Sequence, residues 1–308
     1  MSCADQRARA PRAALLAAAV LAATLWPAAA RAGDLDAQVR ALLAERGDPV
    51  HAGVWFGAAG APRYQLAADR AMPAASVVKT AILIELFAAH AGHLDEPLGA
   101  AAVLVDDKHA AMAPFSAAQR GEIRTALGSA TVRAVGAIMM GSQKASNAVY
   151  NAAANLAIAS LGGPRETTAK IRARDAAFGG VVVGRYMLAP RTAADNAATP
   201  AALAAVLAAV AHGKLRGVDD ATAGAMAEAM MQRDDALGIH HHKEGNLDSD
   251  PMVCIKTGFY ARGAGKPPLI YVVGAALSAR PTRGRDAAHR RLDKLTDAIL
   301  AALRAAAP

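Results

Sequence analysis

The sequence is poor in cysteine and in aromatic residues. Its two cysteines, Cys3 and Cys254, stand near opposite ends of the 308-residue chain, and aromatic residues make up 4% of it. Two cysteines are too few for a disulfide-rich scaffold. A hydrophobic core must therefore stabilise the fold. Cys254 lies in an apolar run, which predicts a buried, unreactive thiol. The net charge of +8 comes from scattered basic residues without interleaved aromatics, a pattern that gives no sign of nucleic-acid binding.

The apolar stretch near the amino terminus, Ala13–Trp26, is too short to span a bilayer. Three arginines precede it, and Ala30-Arg31-Ala32 follows it with small residues at the two positions that a signal peptidase reads. This pattern predicts a signal peptide over 1–32, with an uncleaved anchor as the alternative. We therefore expect an exported protein, periplasmic or secreted, without a stable membrane span after cleavage.

Residue periodicity predicts strands near both ends of the remaining chain and helices between them. Strands are predicted over 51–57, 62–67, 252–260 and 269–277, and terminal helices over 35–46 and 286–306. Residues 95–233 have helical spacing almost throughout, Thr199-Pro200 is typical of a helix start, and 238–250 are predicted to form a polar loop. The order predicts a discontinuous α/β lobe from 33–75 plus 250–308, packed on a helical lobe from 76–249.

Ser76-Val77-Val78-Lys79, at the start of an apolar helical run, is a candidate nucleophile and base. A serine hydroxyl needs a base within hydrogen-bonding reach, and residues three apart on a helix share one face. A lysine acts as a base only where burial or a nearby cation lowers its pKa. Lys256, in the strand-like Lys256-Thr257-Gly258, is a candidate for that cation. The alternative is that Ser76 only caps a helix and Lys79 is a solvated charge.

The chain resembles the class A β-lactamase family in its broad sense, which includes penicillin-binding acyl-serine hydrolases. The resemblance lies in Pro73–Thr80, Lys256–Gly258 and Leu161-Gly162-Gly163-Pro164. The resemblance implies a five-stranded antiparallel sheet flanked by terminal helices and packed on an all-helical lobe. It also implies that Ser76 forms an acyl-enzyme, with backbone N–H groups of Ser76 and Phe259 stabilising the oxyanion. Thr257 and Lys256 would hold the substrate carboxylate, and Gly258 would let the substrate backbone approach the strand. No cofactor or metal is implied.

The family's middle motif, S-D-N with a further asparagine four residues beyond, has two possible registers here. Ala145-Ser146-Asn147 with Asn151 preserves the asparagine spacing, so that Asn147 would bind the substrate amide and Ser146 would lie close by. A shift by one residue makes Ser146 the motif serine but loses the motif asparagine.

The family also places a glutamate before the Thr-Pro helix start to activate the deacylating water. Residues 175–199 contain no glutamate. For Asp195 we expect a structural pairing with an arginine such as Arg185 or Arg191, and for Glu166 a charge in a helix first turn. The acyl-enzyme would then form but hydrolyse slowly.

His240-His241-His242 suggests a metal site, but adjacent histidines do not converge on one ion from regular structure. We expect them in a solvated loop at the rim of the site.

We predict an exported serine hydrolase of the β-lactamase-like family that acts on a β-lactam or a related acyl amide. The alternatives are a penicillin-binding peptidase that acts on D-Ala cell-wall peptides, and a binding protein that senses β-lactams or cell-wall fragments without turnover. The presence of both Ser76 and Lys79 argues against the binding protein, which has no need of the pair. In each case we expect a monomer with a small-molecule β-lactam or a cell-wall peptide as its partner.

Overall fold

The computed structural model describes residues 33–45, 50–190, 195–248, 251–263, 265–277 and 284–307. The expected signal peptide, 1–32, and Arg191 lie outside these residues. No helix of the described part is long and apolar enough to cross a membrane.

An antiparallel sheet forms one side of the molecule, in the order β2-β1-β8-β7-β6-β5. Its strands are β1 (Val50–Ala58), β2 (Ala61–Leu66), β5 (Met231–Asp235), β6 (Gly238–Leu247), β7 (Val253–Ala261) and β8 (Leu269–Leu277). Two-residue strands β3 (Met72–Pro73) and β4 (Ala197–Ala198) pair separately.

Helices cover both faces of this sheet. The terminal helices are α1 (33–44) and α10 (Arg285–Ala305). Between the strands lie α2 (Lys79–Ala89), α3 (Ala101–Val105), α4 (Ala117–Leu127), α5 (Val132–Met140), α6 (Asn147–Ser160), α7 (Pro164–Arg174), α8 (Pro200–His212) and α9 (Asp220–Glu228). The expected two-lobe α/β architecture is confirmed.

Strand alternation divides the core into two layers. Val253, Ile255 and Phe259 of β7 pack with the helical lobe, whereas Cys254 and Tyr260 pack with the terminal helices. β7 and β8 are buried almost throughout because both of their faces are covered.

Short polar side chains cap the helices of the helical lobe. Thr199 accepts a hydrogen bond from the Ala202 amide at 3.1 Å, with Pro200 at the first helical position, as the sequence predicts. This cap starts α8 directly after the loop that crosses the site.

The sheet departs from the expectation in one region. Residues 238–250 are not a polar loop, because Gly238–Leu247 forms β6 and pairs along its length with β7. Within the described residues, the sheet consequently has six strands rather than five. Its first strand after the helices begins at Met231, so a helical lobe that ends at residue 249 is wrong. The polar composition of β6 is compatible with a strand because its histidines stack on neighbouring rings, among them His240 on Tyr260 and His241 on Phe259.

Strand β5 covers only half of β6. It pairs with residues 238–242, and its exposed residues are Gln232, Arg233 and Asp234. The edge of β6 from 243 to 247 is therefore left to contact the turn that precedes α2.

Candidate active site

Ser76 lies in the 3₁₀ turn Ala75–Val78, which leads directly into α2. Ala75 has a φ of +45°, a conformation that costs energy for a residue with a side chain. Ser76 is half-buried and lines a cleft of about 680 Å³ between β6, α6 and the described loop residues 185–189 and 195–196. The turn thus presents the serine at the junction of the two lobes.

Lys79, one turn beyond Ser76, is completely buried. Its Nζ donates to Asn151 Oδ1 at 3.0 Å and to the Tyr150 carbonyl at 3.5 Å. Burial and the nearby charge of Lys243 hold the pKa of Lys79 well below its usual value. A lysine in this state is suited to accept a proton, so the structure brings together the predicted serine and base.

The cation beside Lys79 is Lys243, which the sequence reasoning did not select. Lys243 is 3% exposed, and its Nζ donates to the Met140 carbonyl at 3.0 Å. Two residues further along β6, a Cβ atom added at Gly245 would lie 2.8 Å from the Ser76 amide nitrogen. Lys243-Glu244-Gly245 therefore has the lysine and glycine of a K-x-G motif on the strand edge that contacts the serine turn.

Lys256-Thr257-Gly258 lies one strand further from the cleft, and its expected role in substrate binding is wrong. Lys256 points to the opposite face of the sheet, where its Nζ lies 2.9 Å from Asp293 and also contacts Asp297. Although burial acts to lower it, the pKa of Lys256 is raised because of these carboxylates on α10. Lys256 is a charged partner of α10, and it does not line the cleft.

The neighbours of Lys256 are likewise structural. Thr257 is buried and donates to the Lys243 carbonyl at 2.9 Å, so it supports β6 from behind. A Cβ atom at Gly258 would meet the His241 carbonyl oxygen, so this glycine serves sheet packing. Phe259 stacks on His241 inside the sheet, with ring centroids 4.5 Å apart, and its N–H does not face Ser76.

One sequence signal could have located the correct motif. Lys243-Glu244-Gly245 directly follows the three histidines, in a run set aside as a loop because of its polarity. The exact K-T-G match thirteen residues later outweighed it, since sequence alone does not show which strand forms the sheet edge.

The middle motif is also displaced from its expected register. Ser146 is exposed, accepts a hydrogen bond from the Val149 amide as the N-cap of α6, and does not line the cleft. Asn147 lines the cleft, and its carbonyl and side-chain oxygens accept from Asn151 Nδ2, each at 2.9 Å. Asn151 reaches Lys79, so the asparagine beside the base is Asn151 and the asparagine four residues beyond it is Asn155.

This register makes the middle triplet Val149-Tyr150-Asn151. A valine replaces the motif serine, and a tyrosine replaces the aspartate. The sequence could not decide between registers, because Asn147, Asn151 and Asn155 form two overlapping pairs with the same spacing.

Asn155 connects α6 to the loop that borders the cleft. Its Nδ2 donates to the Met187 carbonyl at 3.2 Å, and its Oδ1 accepts from the Met187 amide at 2.6 Å. This clamp fixes the backbone of Met187, whose residue lines the cleft. An apolar side chain therefore stands at the anchored position of the loop.

The carboxylates near this loop have structural partners, as expected. Arg185 Nε donates to Asp195 Oδ1 at 2.7 Å, which confirms the predicted pairing. Glu166 lies in the first turn of α7, also as predicted.

The three histidines lie within β6 rather than in a solvated loop, and that expectation is wrong. His240 is 1% exposed, and Arg233 Nε donates to its Nδ1 at 3.0 Å. Among the described residues, no group of three or more His, Cys, Asp or Glu could hold a metal ion. Cys254 is buried, and burial raises the pKa of its thiol to about 11, which confirms the expectation of an unreactive cysteine.

Comparisons with known proteins bear on the fold and the family. Among solved structures, a β-lactamase from Desulfarculus baarsii superposes with a TM-score of 0.63 at 16% identity, over 90% of this chain and 99% of that one. A class A β-lactamase from Mycobacterium abscessus gives 0.60 at 18% identity, over 88% and 99%. A β-lactamase from Sphaerobacter thermophilus gives 0.57 at 19% identity, over 88% and 99%.

None of the curated proteins matches the chain. The superposition on the three solved structures shows a class A β-lactamase-like fold. A family model described as the β-lactamase enzyme family matches residues 34–266. The chain therefore belongs to the β-lactamase enzyme family.

Proposed function

We propose that this protein is a serine hydrolase that forms an acyl-enzyme on a β-lactam or a related acyl amide and releases the product slowly. The single observation that carries the proposal is the buried Lys79, with a lowered pKa, one turn after a cleft-lining serine. In the proposed reaction, Ser76 Oγ attacks the amide carbonyl while its proton passes to Lys79 Nζ. The C–N bond then breaks, and the leaving nitrogen takes that proton.

Two backbone N–H groups are suited to stabilise the oxyanion. We assign this role to Ser76 and to Asn246, because Asn246 follows the K-x-G motif at the edge of β6 and lines the same cleft. Lys243 supplies positive charge on the same side, in place of the cation first expected from Lys256. Asn151 orients Lys79, and Asn147 orients Asn151.

Slow hydrolysis of the acyl-enzyme follows from the composition of the loop that carries Met187 and Asp195. Hydrolysis of the acyl ester needs a water that is held and deprotonated near the ester carbonyl. Met187 stands at the anchored loop position, and Asp195 is engaged by Arg185. The same feature favours the second candidate, a peptidase of D-Ala cell-wall peptides, in which slow hydrolysis of a β-lactam ester is compatible with the biological reaction.

Intact-protein mass spectrometry after incubation with a chromogenic cephalosporin and a fluorescent penicillin tests acylation. We expect an adduct on the native protein and none on Ser76→Ala. Ser146→Ala is the matched control, because Ser146 is an exposed helix cap outside the cleft, and we expect it to label normally. An adduct that persists in Ser76→Ala, or no adduct on the native protein, contradicts the proposal. Release of D-Ala from a cell-wall peptide at a rate above that of cephalosporin turnover would favour the peptidase.

Met187→Glu tests the cause of slow release. A carboxylate at this anchored position should activate water, so we expect the acyl-enzyme to decay at least about 10²-fold faster, the lower end of what a positioned general base contributes. Leu188→Glu is the control, since Leu188 is exposed at the cleft with a φ of +62° and lacks the Asn155 clamp. Equal decay in both variants and in the native protein would show that the loop position does not limit release.

We further propose export with cleavage before Gly33, and a monomeric protein. Amino-terminal sequencing of the protein recovered from an exporting host and its sedimentation velocity test these two points.

A further inference from the structure

Lys79 and Lys243 are two neighbouring buried lysines, and among the described residues neither has a carboxylate partner. Among the described residues, their hydrogen bonds go to neutral oxygens of Asn151, Tyr150 and Met140. Like charges at close range in a poorly solvated pocket destabilise each other. A group other than a carboxylate must therefore stabilise the two lysine side chains.

The aromatic ring of Tyr150 lies against both ammonium groups. Lys79 Nζ is 3.3 Å from the ring centroid, and Lys243 Nζ is 4.8 Å from it. The electron-rich face of an aromatic ring attracts cations at these distances. Tyr150 also lines the cleft, so its side chain stands between the two lysines and the solvent of the cleft.

We propose that the ring of Tyr150 is a positioning residue that closes the lysine pocket against water and aims Lys79 at Ser76. This inference rests on the proposed acylation by Ser76. It gives a role to a residue for which the family motif offers none, because tyrosine stands here in place of aspartate.

The ring has two opposing effects on Lys79. A cation–π contact modestly favours the charged ammonium group and so acts to raise the pKa of Lys79. Exclusion of water disfavours the charged form, and complete burial lowers a lysine pKa by up to about 3–5 units. Exclusion is the larger effect, so opening the pocket should raise the pKa of Lys79.

A substitution of Tyr150 leaves the other charged groups around the cleft in place, so a change in the pKa of Lys79 would report the loss of the ring. These groups are Glu85 with Arg174 further along α2, Arg185 with Asp195 on the loop, Glu244 on β6, and Asp248 with Arg285 at the rim.

Two substitutions separate the ring from its hydroxyl. Tyr150→Ala opens the pocket, and Tyr150→Phe keeps the ring. In ¹³Cε-lysine NMR titrations, with the Lys79 signal assigned by its loss in Lys79→Arg, we expect the midpoint to rise by at least about one pH unit in Tyr150→Ala. In Tyr150→Phe it should stay within about half a unit. The alkaline rise of the acylation rate should move by the same amount.

The titration does not depend on activity, so it remains informative if the native protein fails to acylate. A midpoint in Tyr150→Ala equal to that of the native protein would overturn the proposal. A shift as large in Tyr150→Phe would overturn it as well, because the hydroxyl and not the ring would then control Lys79. Circular dichroism of both variants verifies that they are folded before the comparison.

Discussion

Lys243 and Lys256 are both buried lysines of the sheet, but they face opposite sides of it. Lys243 meets neutral oxygens and the Tyr150 ring beside the cleft, whereas Lys256 meets Asp293 and Asp297 of α10. Lys243 is therefore placed to affect catalysis, whereas Lys256 anchors α10 to the sheet. The contrast is invisible in sequence, where each lysine opens a K-x-G triplet.

Replacement of each lysine by alanine should separate these roles. We expect Lys243→Ala to slow acylation about 10²-fold, because a cation that lowers the pKa of the base is lost from the site. Lys256→Ala should acylate at nearly the native rate. It should lower Tm, since two carboxylates lose their partner. Stopped-flow acylation and thermal unfolding of both variants provide the measurement, and the reverse pattern would return Lys256 to the site.

Two glycines of adjacent strands give a matched comparison at the level of elements. Gly245 permits β6 to approach the serine turn, and a Cβ atom there would also lie 3.1 Å from the Val77 amide nitrogen. At Gly258, a Cβ atom would lie 2.8 Å from the Tyr271 hydroxyl within the sheet. Gly245 therefore bears on the cleft, and Gly258 on the packing of strands.

We expect Gly245→Ala to reduce acylation at least tenfold with a small change in Tm, because the edge of β6 must shift away from Ser76. Gly258→Ala should instead destabilise the fold by about 1–3 kcal/mol, the usual cost of overpacking. Urea unfolding and acylation kinetics on both proteins test this. Loss of stability without loss of rate in Gly245→Ala would mean that β6 does not shape the cleft.

Elements with strong local signals could be predicted from the sequence. The Thr199-Pro200 helix start, the apolar strands β7 and β8 and the amphipathic α10 agree with the structure. Ser76 and Lys79 were found together because their relation is local to one turn. Lys243 and Tyr150 were missed because their contacts with Lys79 depend on strand order and helix register, which nearby residues do not encode.

The whole molecule should respond to acid through the histidines of β6. Burial, followed by the charges of His242 and Arg233, lowers the pKa of His240 to about 3. The guanidinium of Arg233 can only donate, so His240 Nδ1 must accept and the ring must be neutral. Burial also lowers the pKa of His241 and His242. The folded state thus holds three histidines that resist protonation.

In the unfolded chain, a histidine takes up a proton near pH 6.5. The stability contributed by His240 is therefore complete above about pH 6.5 and is lost progressively as the pH falls toward 3. Each resisting histidine adds up to about 1.4 kcal/mol per pH unit to this loss. Urea unfolding between pH 7 and pH 4 should show a steep decline. His240→Phe should flatten it, because the substitution removes the buried ring that resists protonation. An unaltered slope in His240→Phe would refute the assignment.

The short strand β5 has a consequence for how copies of the protein meet at high concentration. An open sheet edge is a template for pairing with another chain, and charged residues discourage such pairing. At this edge of the sheet the outermost strand, β5, carries Gln232, Arg233 and Asp234. The part of β6 that β5 does not pair with, 243–247, faces the serine turn. The protein can therefore keep an unpaired strand edge beside its cleft without offering it for polymerisation into edge-to-edge aggregates.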